Sequence, residues 1–174
     1  MTKLRPVRVA YSDAVPSWFS RLSVVGRLPK PLRAQLDPEG IIFVAEKVRA
    51  RQRFSGSVPG RHDAIGINRH TGLVVFTRQR LYALLPTLPR LKQPAIDQRW
   101  DATQDGPAKV AISDSGVQLT IDLRHVDARF SGDLSVEFPI VLPDHVIGSL
   151  PSQSLAFPVS AEYVFHMLGV RART

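Results

Sequence analysis

The sequence predicts a mainly β domain in which about seven strands form a barrel or a strongly bent antiparallel sheet, capped by one C-terminal helix. From residue 41 onwards, short segments of alternating apolar and polar residues are separated by turn-forming residues, a pattern typical of sandwiches and barrels. After Ser160 the apolar residues recur at helical spacing instead. The 174 residues, of which 44% are hydrophobic, suffice for one domain with a sizeable core.

The predicted strands are separated by recognisable turns. The first covers 41–54 and ends at a break over 55–60, and the next two, 64–68 and 73–76, flank a hairpin-like turn at 69–72. Further strands are predicted at 80–85 and 95–100. A hairpin over 109–123 is centred on Asp114-Ser115-Gly116, and alternation resumes over 134–140 after the turn at 131–133.

One helix is predicted to close the chain. Ser160 suits its N-cap, Glu162 suits the positive end of the helix dipole, and Gly169 suits the C-terminal stop. One face is apolar, through Ala161, Val164, Phe165 and Leu168. We expect this face to be buried against the open end or edge of the barrel.

The first 36 residues differ from the domain that we assign to residues 37–174. Prolines divide this basic N-terminal extension into short pieces, and Ser17 can cap a short helix between them. That helix would carry apolar residues at helical spacing, namely Trp18, Phe19, Leu22 and Val25. A basic amphipathic piece of this kind either lies at a membrane interface or packs on its own domain.

The net charge of +8 is concentrated near the N-terminus. Residues 1–60 contain 11 of the 23 Lys and Arg residues but only 4 of the 15 Asp and Glu residues. Such a field attracts anions, whether phosphates, acidic proteins or an anionic membrane surface, and it also favours solubility without any partner.

Several classes of function find no support in the sequence. The absence of cysteine excludes disulfide scaffolds, cysteine-based zinc sites and thiol catalysis. The five histidines show no two-ligand metal spacing, and no phosphate-binding glycine loop or dinucleotide motif is present. We therefore expect no catalytic residues, no metal and no cofactor. Neither a secretory signal nor an apolar run of membrane-spanning length is recognisable, which predicts a cytoplasmic protein.

The stretch from Gly72 to Leu84 resembles the strand–turn–strand signature of GRAM and bacterial PH-like domains. In those domains a glycine and an alternating apolar strand precede Thr-x-x-Arg-Leu, which corresponds here to Thr77, Arg80 and Leu81. The order of elements, with a barrel-like sheet followed by a C-terminal helix, is also similar. The resemblance covers residues 36–170 and implies a scaffold that binds lipid headgroups or proteins without catalysis.

The segment from Lys47 to Phe54 is the main candidate binding site. In a strand, one face would present the cations Lys47, Arg49, Arg51 and Arg53, and Arg61 would follow just beyond the next loop. Arginine forks suit phosphate oxygens, and PH-like domains that bind phosphoinositides hold the phosphates with basic residues on similar strands. Alternatively, acidic partners such as Asp122 or Glu137 neutralise these cations, or the charges protect an edge strand.

These observations favour a non-catalytic binding or adaptor module. Its expected partner is anionic, either an acidic phospholipid headgroup or an acidic protein surface, which would place the protein in the cytoplasm or at the inner face of the membrane. A nucleic-acid-binding β-barrel is one alternative, although few aromatic residues accompany the cations. A flavin-binding split-barrel oxidoreductase is another.

Overall fold

The computed structural model describes residues 27–85 and 93–171. Over these residues, eight antiparallel strands form one sheet that curves into a nearly closed barrel, followed by a C-terminal helix. The predicted mainly β fold is therefore confirmed. The short helix predicted from Ser17 lies outside the described residues.

The strands are β1 (Ile41–Val58), β2 (Arg61–Thr77), β3 (Arg80–Leu84), β4 (Ile96–Arg99), β5 (Ala108–Ser113), β6 (Gly116–Asp122), β7 (Ser131–Pro139) and β8 (Ser154–Phe157). Their order across the sheet is β4-β3-β2-β1-β7-β6-β5-β8. The helices are α1 (Lys30–Leu36), α2 (Asp144–Ser149) and α3 (Ala161–Leu168), and single 3-10 turns lie at Asp37–Glu39 and Leu123–His125.

The first two strands form a hairpin that is much longer than the sequence predicts. β1 continues through the predicted break as far as Val58, and the turn consists only of Pro59 and Gly60. The turn predicted at 69–72 is wrong, because these residues continue β2 and pair with residues 48–51 of β1. Hydrogen bonding to the facing strand of a long hairpin outweighs the local preference of these residues for a turn.

Gly72, which suggested a turn, is required for a different reason. A Cβ at this position would lie 2.5 Å from the carbonyl oxygen of Leu84. The glycine therefore lets β3 approach β2 closely where their pairing begins, at Leu73 opposite Leu84.

The turn between β2 and β3 is held by the side chain of Thr77. Its Oγ1 accepts hydrogen bonds from the backbone N–H groups of Gln79, at 3.1 Å, and Arg80, at 2.9 Å, and donates one to Glu39. The Arg80 guanidinium lies 2.6 Å from Glu39 and 3.0 Å from Asp97. Leu81 follows Arg80 directly and is completely buried.

The main core fills the inside of the barrel, and α3 packs into it. Val164, Phe165 and Leu168 are buried there with Met167. The predicted caps are confirmed: the Ser160 hydroxyl accepts a hydrogen bond from the backbone N–H of Tyr163 at 3.1 Å, and Gly169 adopts a left-handed conformation with φ 66°.

A second, smaller core lies on the opposite face of β2 and β3. There Leu28, just before α1, and Leu32 and Leu36 of α1 are buried together with Leu73, Val75, Tyr82 and Leu84. Both faces of residues 73–76 of β2 and 81–84 of β3 are thus covered, which explains the nearly continuous apolar sequence of these two segments. Residues 28–36, which the sequence assigns to the extension, pack directly on the barrel.

The predicted hairpin around Asp114 is confirmed as β5 and β6, and the predicted strands at 95–100 and 134–140 correspond to β4 and β7. The short elements β8, α1 and α2 were not predicted. The two edge strands, β4 and β8, approach each other beside α3, where Tyr163 donates a hydrogen bond to the carbonyl oxygen of Ala95.

Candidate anion-binding site

The predicted alternation of charged and buried residues along β1 is confirmed. Four cations have exposed side chains: Lys47, Arg49, Arg51 and Arg53. The residues between and beyond them are buried in or against the barrel core, namely Val48, Ala50, Gln52 and Phe54. The period of two in the sequence therefore separates an outward cationic face from an inward apolar one.

The neighbouring strands extend this outward face on both sides. Arg51 lies between Arg69 of β2 and Glu137 of β7, and Arg49 lies opposite Thr71. Together these residues line an open cleft of about 660 Å³. Among the described residues, the lining consists of Arg49, Ala50, Arg51, Arg69, His70, Thr71, Glu137 and Pro139.

Among its described lining residues, the cleft thus contains three guanidinium groups and one carboxylate. The single carboxylate, Glu137, lies 2.6 Å from Nη2 of Arg51, and the two side chains remain 41% and 54% exposed. Among the described residues, no carboxylate lies within 4.0 Å of Arg49, Arg53 or Arg69. Net positive charge therefore remains in the cleft after its one ion pair is counted.

Asp122, the other acidic residue that the sequence offers as a partner of these cations, forms its ion pairs elsewhere. Its carboxylate lies 2.9 Å from Nδ1 of His125 and 3.5 Å from Nε of Arg124. These contacts are local to the 3-10 turn that follows β6, so Asp122 does not neutralise the β1 cations.

Arg69 was missed by the sequence analysis because residues 69–72 were assigned to a turn. The recognisable signal was the Pro59-Gly60 pair, which centres a hairpin and places residues near 69 opposite residues near 51. Extending both strands of the hairpin outward from that turn places Arg51 opposite Arg69.

Lys47 and Arg61 lie outside this cleft. Lys47 has a positive φ of 53° at a β-bulge, where β1 carries one extra residue between the pairs formed by Ala45 and Val48. Arg61 lies 2.6 Å from Asp63 and donates a hydrogen bond to the carbonyl oxygen of Leu168 at 2.9 Å. Its guanidinium also stacks 5.4 Å from the ring centroid of Phe54, so Arg61 connects the hairpin to α3.

A buried polar contact supports the strands beneath the cleft. The Gln52 side chain is 2% exposed; its Nε2 donates to the carbonyl oxygen of Met167 at 2.7 Å, and its Oε1 lies 3.1 Å from Nε2 of His70. Burial lowers the pKa of His70 below its ordinary value. Gln52 thus links β1, β2 and the C-terminal end of α3 behind the cleft.

The outward face continues as a polar groove across β7. A second crevice of about 360 Å³ shares Glu137 and Pro139 with the cleft and adds Ser113, Ser115 and Gln118. The combined surface offers guanidinium donors at one end and hydroxyl and amide groups at the other. Such a set of groups can bind an anion by charge and hydrogen bonding.

Within the described ranges, no group of three or more His, Asp or Glu residues is placed to hold a metal ion. In the same part of the chain, no helix combines the length and apolarity needed to cross a bilayer. Comparisons with protein-family models, with curated proteins and with solved structures find no match to this chain.

Proposed function

We propose that this protein is a non-catalytic binding module that attaches to anionic phospholipid surfaces, such as the cytoplasmic face of a membrane, through the cleft lined by Arg49, Arg51 and Arg69. The observation that carries the proposal is the convergence of three exposed arginines from two strands on one cleft with a single carboxylate. Arg53 extends the same strand face, and the exposed Lys47 at the adjoining β-bulge adds to the positive field.

Guanidinium groups suit this role because their planar forks donate two parallel hydrogen bonds to phosphate oxygens. Like charges on facing strands repel one another, as at Arg51 and Arg69, and a bound phosphate relieves that repulsion. Near an anionic leaflet, each such cation contributes about 1 kcal/mol, so three to five of them give measurable, salt-sensitive attachment.

A bilayer is favoured over a soluble acidic protein by what lies beside the cations. Exposed isoleucine side chains on β2 lie on the same outward face, next to Arg53 and Arg69. A surface that combines cations with exposed aliphatic groups is typical of peripheral membrane proteins.

The proposal is tested by sedimentation of the full chain with phosphatidylcholine vesicles, with and without phosphatidylserine, at about 0.05 M and about 0.5 M salt. We expect co-sedimentation with the phosphatidylserine vesicles at low salt, weak binding at high salt and little binding to neutral vesicles. Equal partitioning to neutral and anionic vesicles, or no binding to either, would overturn the proposal.

Soluble polyanions distinguish lipid binding from other forms of anion binding. Polyglutamate and single-stranded DNA are added separately to the vesicle mixture at matched charge concentration. We expect the vesicle-bound fraction to remain high. A polymer that releases the protein completely and binds it more tightly than the vesicles do would assign the cleft to an acidic protein or to nucleic acid instead.

A further inference from the structure

Two isoleucine side chains of β2 are exposed to water on the outward face of the long hairpin. Ile65 is 62% exposed and Ile67 is 52% exposed. Val141, at 87%, is the one other large apolar residue with comparable exposure in the described part of the chain. Two neighbouring aliphatic side chains on one strand therefore form a small apolar patch, which we call the Ile65/Ile67 patch.

The strand register places this patch directly beside the cations. Ile67 lies opposite Arg53, and two residues further along the same strand Arg69 lies opposite Arg51. Near Ile65 the register shifts by one residue, since Phe54 pairs with Gly66 but Gly56 pairs with Asp63. This bulge leaves both Ala64 and Ile65 opposite Ser55, and both side chains are exposed.

The packing of the barrel gives no reason for these two aliphatic side chains to be exposed to water. Both barrel cores are formed without Ile65 and Ile67, and β-branched aliphatic groups gain free energy when they leave water. Along β2 the patch and Arg69 are consecutive outward positions, so one flat surface would meet both.

We infer that the Ile65/Ile67 patch enters the boundary between headgroups and acyl chains of a bilayer when anionic lipid binds in the cleft lined by Arg49, Arg51 and Arg69, which we call the arginine cleft. The inference rests on the proposed function, because the cations determine which surface the patch meets. Arg53 and Arg69 can keep their guanidinium groups at phosphate level while the adjacent isoleucines lie deeper. The hairpin would then attach by charge and by apolar insertion together.

The first test replaces both isoleucines in the full chain, as Ile65→Ser with Ile67→Ser. We expect affinity for phosphatidylserine-containing vesicles to fall by about tenfold or more, since two largely exposed aliphatic groups lose their burial in lipid. The loss should persist at high salt, because apolar insertion is not screened. Val141→Ser is the matched control and should bind as the wild type does.

The second test measures insertion directly. Because the chain contains no cysteine, Ile67→Cys can carry a single polarity-sensitive fluorophore, and Ser154→Cys on the distant strand β8 serves as the control position. On addition of anionic vesicles we expect a blue shift and shielding from an aqueous quencher at position 67 and neither change at position 154.

The outcomes separate this inference from the proposed function. Suppose that the wild type sediments with anionic vesicles. If the label on Ile67→Cys then stays fully quenchable, or if the double serine variant binds as tightly as the wild type, insertion is overturned and electrostatic binding still stands. An equal loss in Val141→Ser also overturns the assignment to β2. Absence of any vesicle binding by the wild type overturns both proposals.

Discussion

Arg51 and Glu137 lie directly opposite each other on the paired strands β1 and β7, and their side chains form an ion pair of 2.6 Å at the edge of the arginine cleft. On its other side Arg51 faces a second arginine, Arg69. Glu137 therefore occupies the position at which an incoming anion would meet Arg51. An exposed pair of this kind contributes little to stability, about 0 to 1 kcal/mol, so an anion can displace the glutamate at small cost.

Neutralising this glutamate should strengthen anion binding. In Glu137→Gln the cleft keeps its shape but loses the one carboxylate among its described lining residues, and a bound phosphate no longer competes with it. We expect affinity for phosphatidylserine-containing vesicles to rise by about two- to tenfold, which corresponds to roughly 0.4 to 1.4 kcal/mol. Vesicle titration at low salt measures the change.

Asp133→Asn is the matched control because it makes the same change in net charge on the same strand. Asp133 is exposed but does not line the cleft. Equal gains in the two variants would show that overall charge, rather than the position of Glu137, controls binding.

The buried amide of Gln52 should contribute substantially to stability. Gln52→Leu fills the space but removes the donor to the Met167 carbonyl and the partner of His70. We expect the free energy of unfolding to fall by about 2 kcal/mol, because a buried polar group left without a partner costs about 1 to 3 kcal/mol. Urea denaturation measures it. Gln118→Leu, on the exposed face of β6, should change the value by less than about 0.5 kcal/mol, and similar losses in both variants would contradict this role.

The burial of His70 predicts a dependence of stability on pH. Burial lowers the pKa of His70 below its ordinary value of 6.5, so as pH falls below 6.5 the unfolded chain takes up a proton that the folded chain does not. The free energy of unfolding should therefore decrease from about pH 6.5 towards pH 5.

His70→Gln should flatten this part of the profile, whereas Gln118→Leu, which changes no titratable group at an exposed position on β6, should leave it unchanged. Urea denaturation at a series of pH values compares them. A wild-type slope retained in His70→Gln would contradict the assignment. Below this range carboxylates also contribute, since hydrogen bonds from Arg129 lower the pKa of Asp127 to about 2.

The turn between β2 and β3 should depend on the hydroxyl of Thr77. Thr77→Val keeps the volume of this completely buried side chain but removes the acceptor of two backbone N–H groups and the donor to Glu39. We expect a loss of about 2 kcal/mol in the free energy of unfolding. Thr120→Val, at an exposed position of β6, serves as the control. A loss below about 0.5 kcal/mol at Thr77 would show that the turn forms without this hydroxyl.

The parts of the fold that were predictable are those in which local sequence and tertiary structure agree. The hairpin around Asp114 alternates on both sides of a two-residue turn, and α3 has both of its caps and one apolar face. The long β2 was not predictable in this way, since residues 69–72 form a turn by local preference and a strand only by pairing with β1. The strand β8 has four residues and forms by pairing with β5 at the edge of the sheet, a contact that local sequence does not reveal.

The candidate site was predictable along one strand and not across strands. The alternation from Lys47 to Arg53 indicates which side chains share a face, because that depends only on local geometry. The cleft, however, requires Arg69 and Glu137, whose positions depend on the register of two other strands. Conversely, Arg61 follows the cationic strand closely in sequence, but the turn at Pro59 and Gly60 lies between them. Its guanidinium donates a hydrogen bond to the carbonyl oxygen of Leu168 in α3 instead of lining the cleft.

The central claim, that the arginine cleft is the anion-binding surface, is tested most directly by reversing its charge. Arg49→Glu with Arg51→Glu is compared in vesicle sedimentation with Arg78→Glu and Arg124→Glu together, which change the net charge equally at exposed positions outside the cleft. We predict that the cleft variant loses binding to phosphatidylserine-containing vesicles by at least about a hundredfold, while the control variant loses far less. Equal binding by the two variants, with both folded, would contradict the claim and leave the cations of β1 as a solvated strand face.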